Sequence, residues 1–156
     1  MENVMTVASY VYNRYQNEFN EKIDEMKLHK LLYFAQREAL VRTNEPLFDA
    51  EFCAWRYGPV LKDIRGAYKA GTFETEISDE TVHALKPVMD KIFEKYAPED
   101  SWSLSRLTHG ETSWKNARKG FAPTDSSDVA IALDDIRLDA DRIRTRREML
   151  NKFSAL

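Results

Sequence analysis

A chain of 156 residues, 43% hydrophobic and 31% charged, has the balance of one folded domain with its own core, and this excludes a disordered chain. A formal net charge of −3 supplies no overall pull toward nucleic acid, so DNA binding would need a local basic patch. Cys53 is the only cysteine, which excludes an intramolecular disulfide and leaves a cysteine-based zinc site unsupported.

The opening stretch, MENVMTVASYVYNRY, mixes polar and apolar residues and lacks the basic leader and apolar run of a signal peptide. No run approaches the roughly 18 apolar residues of a membrane span. A cytoplasmic location without a membrane partner is expected.

Val4, Val7, Ala8, Val11, Tyr12 and Tyr15 recur at intervals of three and four, which predicts an amphipathic helix. A second helix is predicted from about Asp24 to Arg42, with Leu28, Leu31, Leu32, Ala35 and Ala39 on one face and Asp24 and Glu25 at its positive end. Tyr33 and Phe34 widen the apolar face, so this helix should be central. His29 is expected at its surface or boundary.

Asn44 and Pro46 break the pattern, and the bulky residues from Phe52 to Tyr57 favour a short extended segment. Gly58-Pro59 is read as its end, with Pro59 at the first position of a helix carrying Val60, Ile64, Ala67 and Tyr68 inward and closed by Gly71. Cys53, between Phe52 and Ala54, is expected to be a buried thiol.

Another helix is predicted from about Asp79 to Tyr96, with Pro87 kinking it or marking a restart. Short helices follow over 101–108 and 112–118, then a polar loop bounded by Gly120 and Pro123. From Val129 onward, Leu133, Ile136, Ala140, Ile143 and Leu150 fit a long amphipathic helix, although 128–131 reads equally well as a short strand. The fold class is therefore mainly α: a single compact multi-helix domain over 1–156, with a small extended or β element around residues 47–57 and residues 141–156 as a C-terminal helical extension.

Chemistry is sparse. His29, His83 and His109 show no H-x-x-x-H or H-E-x-x-H spacing, so no metal is expected. No glycine-rich phosphate loop occurs, and no cofactor is expected. No acid, base and nucleophile converge, which points away from an enzyme and toward a binding or regulatory module. Arg142, Arg144, Arg146 and Arg147 follow Asp134, Asp135, Asp139 and Asp141, an order that suits the helix dipole. The cluster reads either as a solvated helix face or as a phosphate-backbone contact.

Four ordered motifs carry a resemblance. KLHKLLYFAQ (27–36), PLF (46–48), AWRYGPV (54–60) and LSRLTHGETSWKNARKG (104–120) together resemble the Panacea domain, a family formerly of unknown function that includes SocA-type antitoxins and phage-associated proteins. The resemblance covers roughly residues 5 to 140. It implies a bacterial or prophage antitoxin that neutralises a cognate toxin, encoded by an adjacent gene, through direct protein–protein binding. SocA-type members also act as adaptors delivering a toxin to a ClpXP-type protease. A DNA-binding transcriptional regulator using Arg142–Arg147 is the alternative, with nucleic acid as its partner.

Within these motifs Lys30, Tyr33, Trp55, Gly58 and Pro59 read as scaffold, with Trp55 packing on the 24–42 helix as a core corner. Arg56 and Tyr57 read as an exposed contact edge, because Tyr and Arg are enriched where interfaces concentrate binding energy. Lys62, His109 and Trp114 complete the partner-binding candidates; His109 and Trp114 could instead pack against the first motif.

Overall fold

A computed structural model describes residues 1–155; Leu156, the last residue of the expected C-terminal extension, lies outside the described residues. Helices α1 (Val4–Phe19) and α2 (Glu25–Thr43) lead into strands β1 (Cys53–Trp55) and β2 (Gly58–Val60). Helices α3 (Lys62–Ala70), α4 (Asp79–Lys95), α5 (Ser101–His109), α6 (Thr112–Ala117) and α7 (Leu133–Ser154) follow. None of these helices is long and apolar enough to cross a membrane.

Helix ends follow local chemistry. Asp24 caps α2 by accepting a hydrogen bond from the Lys27 amide at 2.8 Å, and Asn3, Ser78 and Asp100 cap α1, α4 and α5 in the same way. Asn20 and Asn44 end α1 and α2 in the left-handed conformation that asparagine tolerates. Pro87 sits inside α4, which continues past it.

Helix α2 is the axis of the molecule. Residues 27–41 are buried without interruption, because α1, α4, α5, α7 and the hairpin cover it from all sides. Such burial demands partners for its polar side chains. Lys27 donates to the Tyr15 hydroxyl at 3.1 Å and the Ala97 carbonyl at 3.0 Å. The Gln36 side chain bridges to the 47–48 backbone, accepting from the Leu47 amide and donating to the Phe48 carbonyl. Arg37 donates to Glu111 and, at 2.6 Å, to the Tyr96 hydroxyl. Burial pushes the Glu111 carboxyl up even with that guanidinium beside it.

His29 is 1% exposed, which corrects the surface or boundary expectation. Its Nδ1 accepts a hydrogen bond from the Leu61 amide at 3.2 Å, and its Nε2 lies 3.1 Å from Glu25. An acceptor Nδ1 fixes the neutral ring with Nε2 as donor. Burial, reinforced by the Lys30 charge, pulls the imidazole down to about 4, in keeping with that tautomer.

The Gly58-Pro59 step does not open a helix. Cys53 pairs with Val60, Ala54 with Pro59 and Trp55 with Gly58 in an antiparallel hairpin, whose two-residue loop is Arg56-Tyr57. The next helix starts only at Lys62. Ala54 turns its amide to the Val129 carbonyl at 2.8 Å and its carbonyl to Arg118 at 3.1 Å, so Pro59 sits opposite a residue whose groups point away and needs no amide of its own. The 128–131 segment supplies that partner: Ala130 bridges to Cys53, and the Ile131 amide donates to the Phe52 carbonyl at 2.8 Å. Cys53 is half-buried rather than enclosed, since only one side of this ribbon faces the core.

Helix α7 lies along α2. Arg144 donates to the Val41 carbonyl at 2.9 Å and also to that of Leu40, covering the end of α2, where carbonyls lack helical partners. Arg147 grips the buried Glu38 carboxylate with two bonds of 2.8 and 2.7 Å. Two of the four clustered arginines are therefore clamps, neither a solvated face nor free for phosphate, while Arg146 remains exposed. Leu150, expected inward, is 58% exposed. Replacing Arg147 with Ala strands Glu38, and a loss of about 1–3 kcal/mol is expected in urea unfolding.

Candidate functional site

The first turns of α2, the hairpin, α3 and the 126–128 segment enclose a cleft of about 480 Å³. Its walls are mainly apolar, with Met26 on one side and Trp55 and Val60 on the other. Trp55 is half-buried, so it forms a wall of this cleft rather than a corner of the core. Its indole donates to Asp128 at 3.0 Å, and the Arg65 guanidinium lies 5.2 Å from its ring.

The charges around the mouth are largely paired. Arg65 bonds to Glu25 at 2.7 Å, and Lys62 to Asp128 at 2.9 Å. Hydrogen bonds from Lys62 and Trp55 hold the Asp128 carboxyl below the usual range. Lys30 is the exception. It lines the cleft at 1% exposure, and among the described residues its ammonium reaches only the Pro59 carbonyl, at 3.3 Å. Burial brings it down to about 7, even though Glu25 and Asp24 pull the other way.

Behind the hairpin the segment from Leu104 to Arg118 acts as a brace. Ser105 donates to the Tyr57 carbonyl at 2.7 Å, and the Trp114 indole donates to the Trp55 carbonyl at 3.0 Å. His109 stacks on Trp114 with ring centres 4.1 Å apart, its Nε2 buried without a partner among the described residues. Tyr33 of α2 shares a 2.6 Å hydrogen bond with Ser113, and Asp139 of α7 accepts the amides of Thr112 and Ser113 at 3.0 and 2.9 Å. Three sequence-distant segments thus hold the Arg56-Tyr57 loop in one position.

Residues 28–115 match the family described as antitoxin SocA-like, Panacea domain, over more than half of the chain. The chain belongs to this family. Neither a curated protein nor a solved structure matches it. The matched stretch is narrower than the 5–140 span of the motif resemblance. In this Panacea domain it contains the floor and hairpin of the cleft, while the 126–128 wall and the α7 clamps lie outside it.

The structure separates the candidate residues of the Panacea domain into two sets. Arg56, Tyr57 and Lys62 are exposed, with the Arg56 guanidinium 4.5 Å from the Tyr57 ring centre. His109 and Trp114 are half-buried in the brace, the packing alternative for these two. Lys30, Tyr33, Gly58 and Pro59 are all buried under or beside the hairpin. Sequence reasoning missed Trp102, which is 55% exposed and meets the 40% exposed Tyr57 edge-to-face at 5.3 Å. A helical signal existed: Leu104, Ser105 and Thr108 form the buried face of α5, which leaves Trp102 on the other. It also missed Arg65 and Asp128, whose roles depend on a meeting of α3 with the 126–128 loop that no local pattern reveals.

Proposed function

We propose that this domain neutralises a cognate toxin, the product of an adjacent gene, by direct non-catalytic binding through the edge formed by Arg56, Tyr57 and Trp102. The observation that carries the reading is the exposed cluster of Arg56 and Tyr57, on a loop braced from behind by Ser105 and Trp114, with Trp102 of α5. These are the residue types that dominate protein interfaces, and a rigid aromatic edge loses little side-chain entropy on docking. Arg144 and Arg147 are engaged with α2, so the nucleic-acid alternative gains no support from them.

The test is co-expression of the chain with its neighbouring gene product. Tyr57→Ala and Trp102→Ala are each expected to weaken the complex about 30-fold, the loss typical of an interface hot spot, with melting temperatures close to wild type. A double variant that still protects cells would remove this edge from the reading. A neighbour harmless when expressed alone would remove the antitoxin reading itself. Protection that persists in cells lacking ClpXP supports blocking by binding, whereas protection lost there supports delivery to the protease.

A further inference from the structure

We infer that the cleft beside the hairpin is a binding site for a carboxylate carried on an apolar or aromatic body, with Lys30 as the cation that receives it. A buried lysine ordinarily comes with an acidic partner or several strong acceptors, because an ammonium out of water has three donors to satisfy. Lys30 has one carbonyl at 3.3 Å and, among the described residues, no ion pair. The acids that line the same cleft are already engaged: Glu25 with Arg65 and His29, Asp128 with Lys62 and Trp55. Arg56 stands at the mouth on the Tyr57 ring, also without a carboxylate among the described residues.

The walls select what carries the negative charge. Met26, Trp55 and Val60 offer apolar surface, and about 480 Å³ is room for a ring or a branched side chain. A phosphate presents three strongly solvated oxygens and calls for several convergent donors, whereas the floor offers a single ammonium. The nearby start of α2 does not add to it, since Asp24 already occupies the Lys27 amide. One oxygen-rich end and one apolar end describe an aryl or alkyl carboxylate. Its source is either a free small acid or the terminal carboxylate of a chain ending in an apolar residue.

Calorimetric titration of the full chain at pH 7 with 3-phenylpropionate and with 3-phenylpropanamide decides the inference. The acid is expected to bind about ten- to a hundredfold more tightly than the amide, the difference expected for a hydrogen bond to a charged group. Lys30→Met is expected to abolish that preference. Equal binding of acid and amide, no binding of either, or a preference that survives in K30M would overturn the inference. Should K30M fail to fold, the acid–amide comparison on the wild type still decides. A ¹³C-lysine NMR titration adds a second readout, in which the Lys30 ε-carbon signal titrates at higher pH with the acid and not with the amide. The peptide Ala-Ala-Phe with a free or an amidated terminus separates the two sources: selectivity in the peptide pair assigns a chain terminus, and selectivity in the small pair alone assigns a free acid. The inference does not rest on toxin binding, since toxin neutralisation and probe selectivity are scored separately and either can fail alone.

Discussion

Gly58→Ala is expected to destabilise the protein by about 2–5 kcal/mol, the sum of backbone strain and overpacking. Gly58 has φ +116°, a region that side chains rarely adopt. An added Cβ would also lie 2.6 Å from both Lys30 Cε and Thr108 Oγ1. Neither neighbour can retreat, because Lys30 and Thr108 are buried and the Thr108 hydroxyl is tied to the Ser105 carbonyl at 2.7 Å. The hairpin would have to lift away from α2 and α5, carrying Tyr57 with it. The measurement is the urea midpoint, with the 3-phenylpropionate affinity followed alongside. A wild-type midpoint would show that the turn accommodates a side chain and that its close approach to Lys30 is not required.

Lys30→Met should act in the opposite direction. In the folded protein Lys30 lies at about 7 against an ordinary 10.5, and burial is the main cause. Below pH 7 both folded and unfolded chains carry the proton, and the folded chain bears the full cost of a buried charge, roughly 3–5 kcal/mol. Between pH 7 and 10.5 the unfolded chain holds more protons than the folded one, so wild-type stability from this group rises with pH. Methionine keeps the apolar stem and removes the charge, at the loss of the bond to Pro59. K30M is therefore expected to be the more stable protein at pH 6–7, with the gap closing toward pH 10. His29 is neutral in the folded protein over that range, and its titration around 6.5 in the unfolded chain is common to both proteins and cancels from the gap. Urea unfolding of both proteins at several pH values gives the gap directly, and a gap independent of pH would contradict the charged, buried state of Lys30.

The long helices were legible because their apolar residues recur at helical spacing and their ends carry Asp24, Asn44 and Gly71 in the expected places. What periodicity could not show was that α2 has no solvated side over its middle. Lys27, Lys30, Gln36, Arg37 and Glu38 are buried along with the apolar residues, and each meets a partner from elsewhere in the chain. Pro59 misled for a related reason. A proline after glycine suits a helix start by local rules, and only the turning of Ala54 toward Val129 and Arg118 makes room for it in a strand. In the site, the exposure of Arg56 and Tyr57 follows from residue type. The cleft itself requires α3, the hairpin and the 126–128 segment to converge, and no one of them announces it.

The clamp between α7 and α2 also has a mechanical meaning. The two helices are joined by the Arg147–Glu38 bonds and by Arg144 on the α2 carbonyls, all near the C-terminal end of α2. A pull on the exposed end of α7 therefore loads those bonds first and one after another. Peeled from that end, the joint acts as a zipper, its bonds broken in turn rather than all together. Once the zipper opens, the Glu38 charge and the flank of the central helix are bared together, so a molecule tugged from this end would lose its core early.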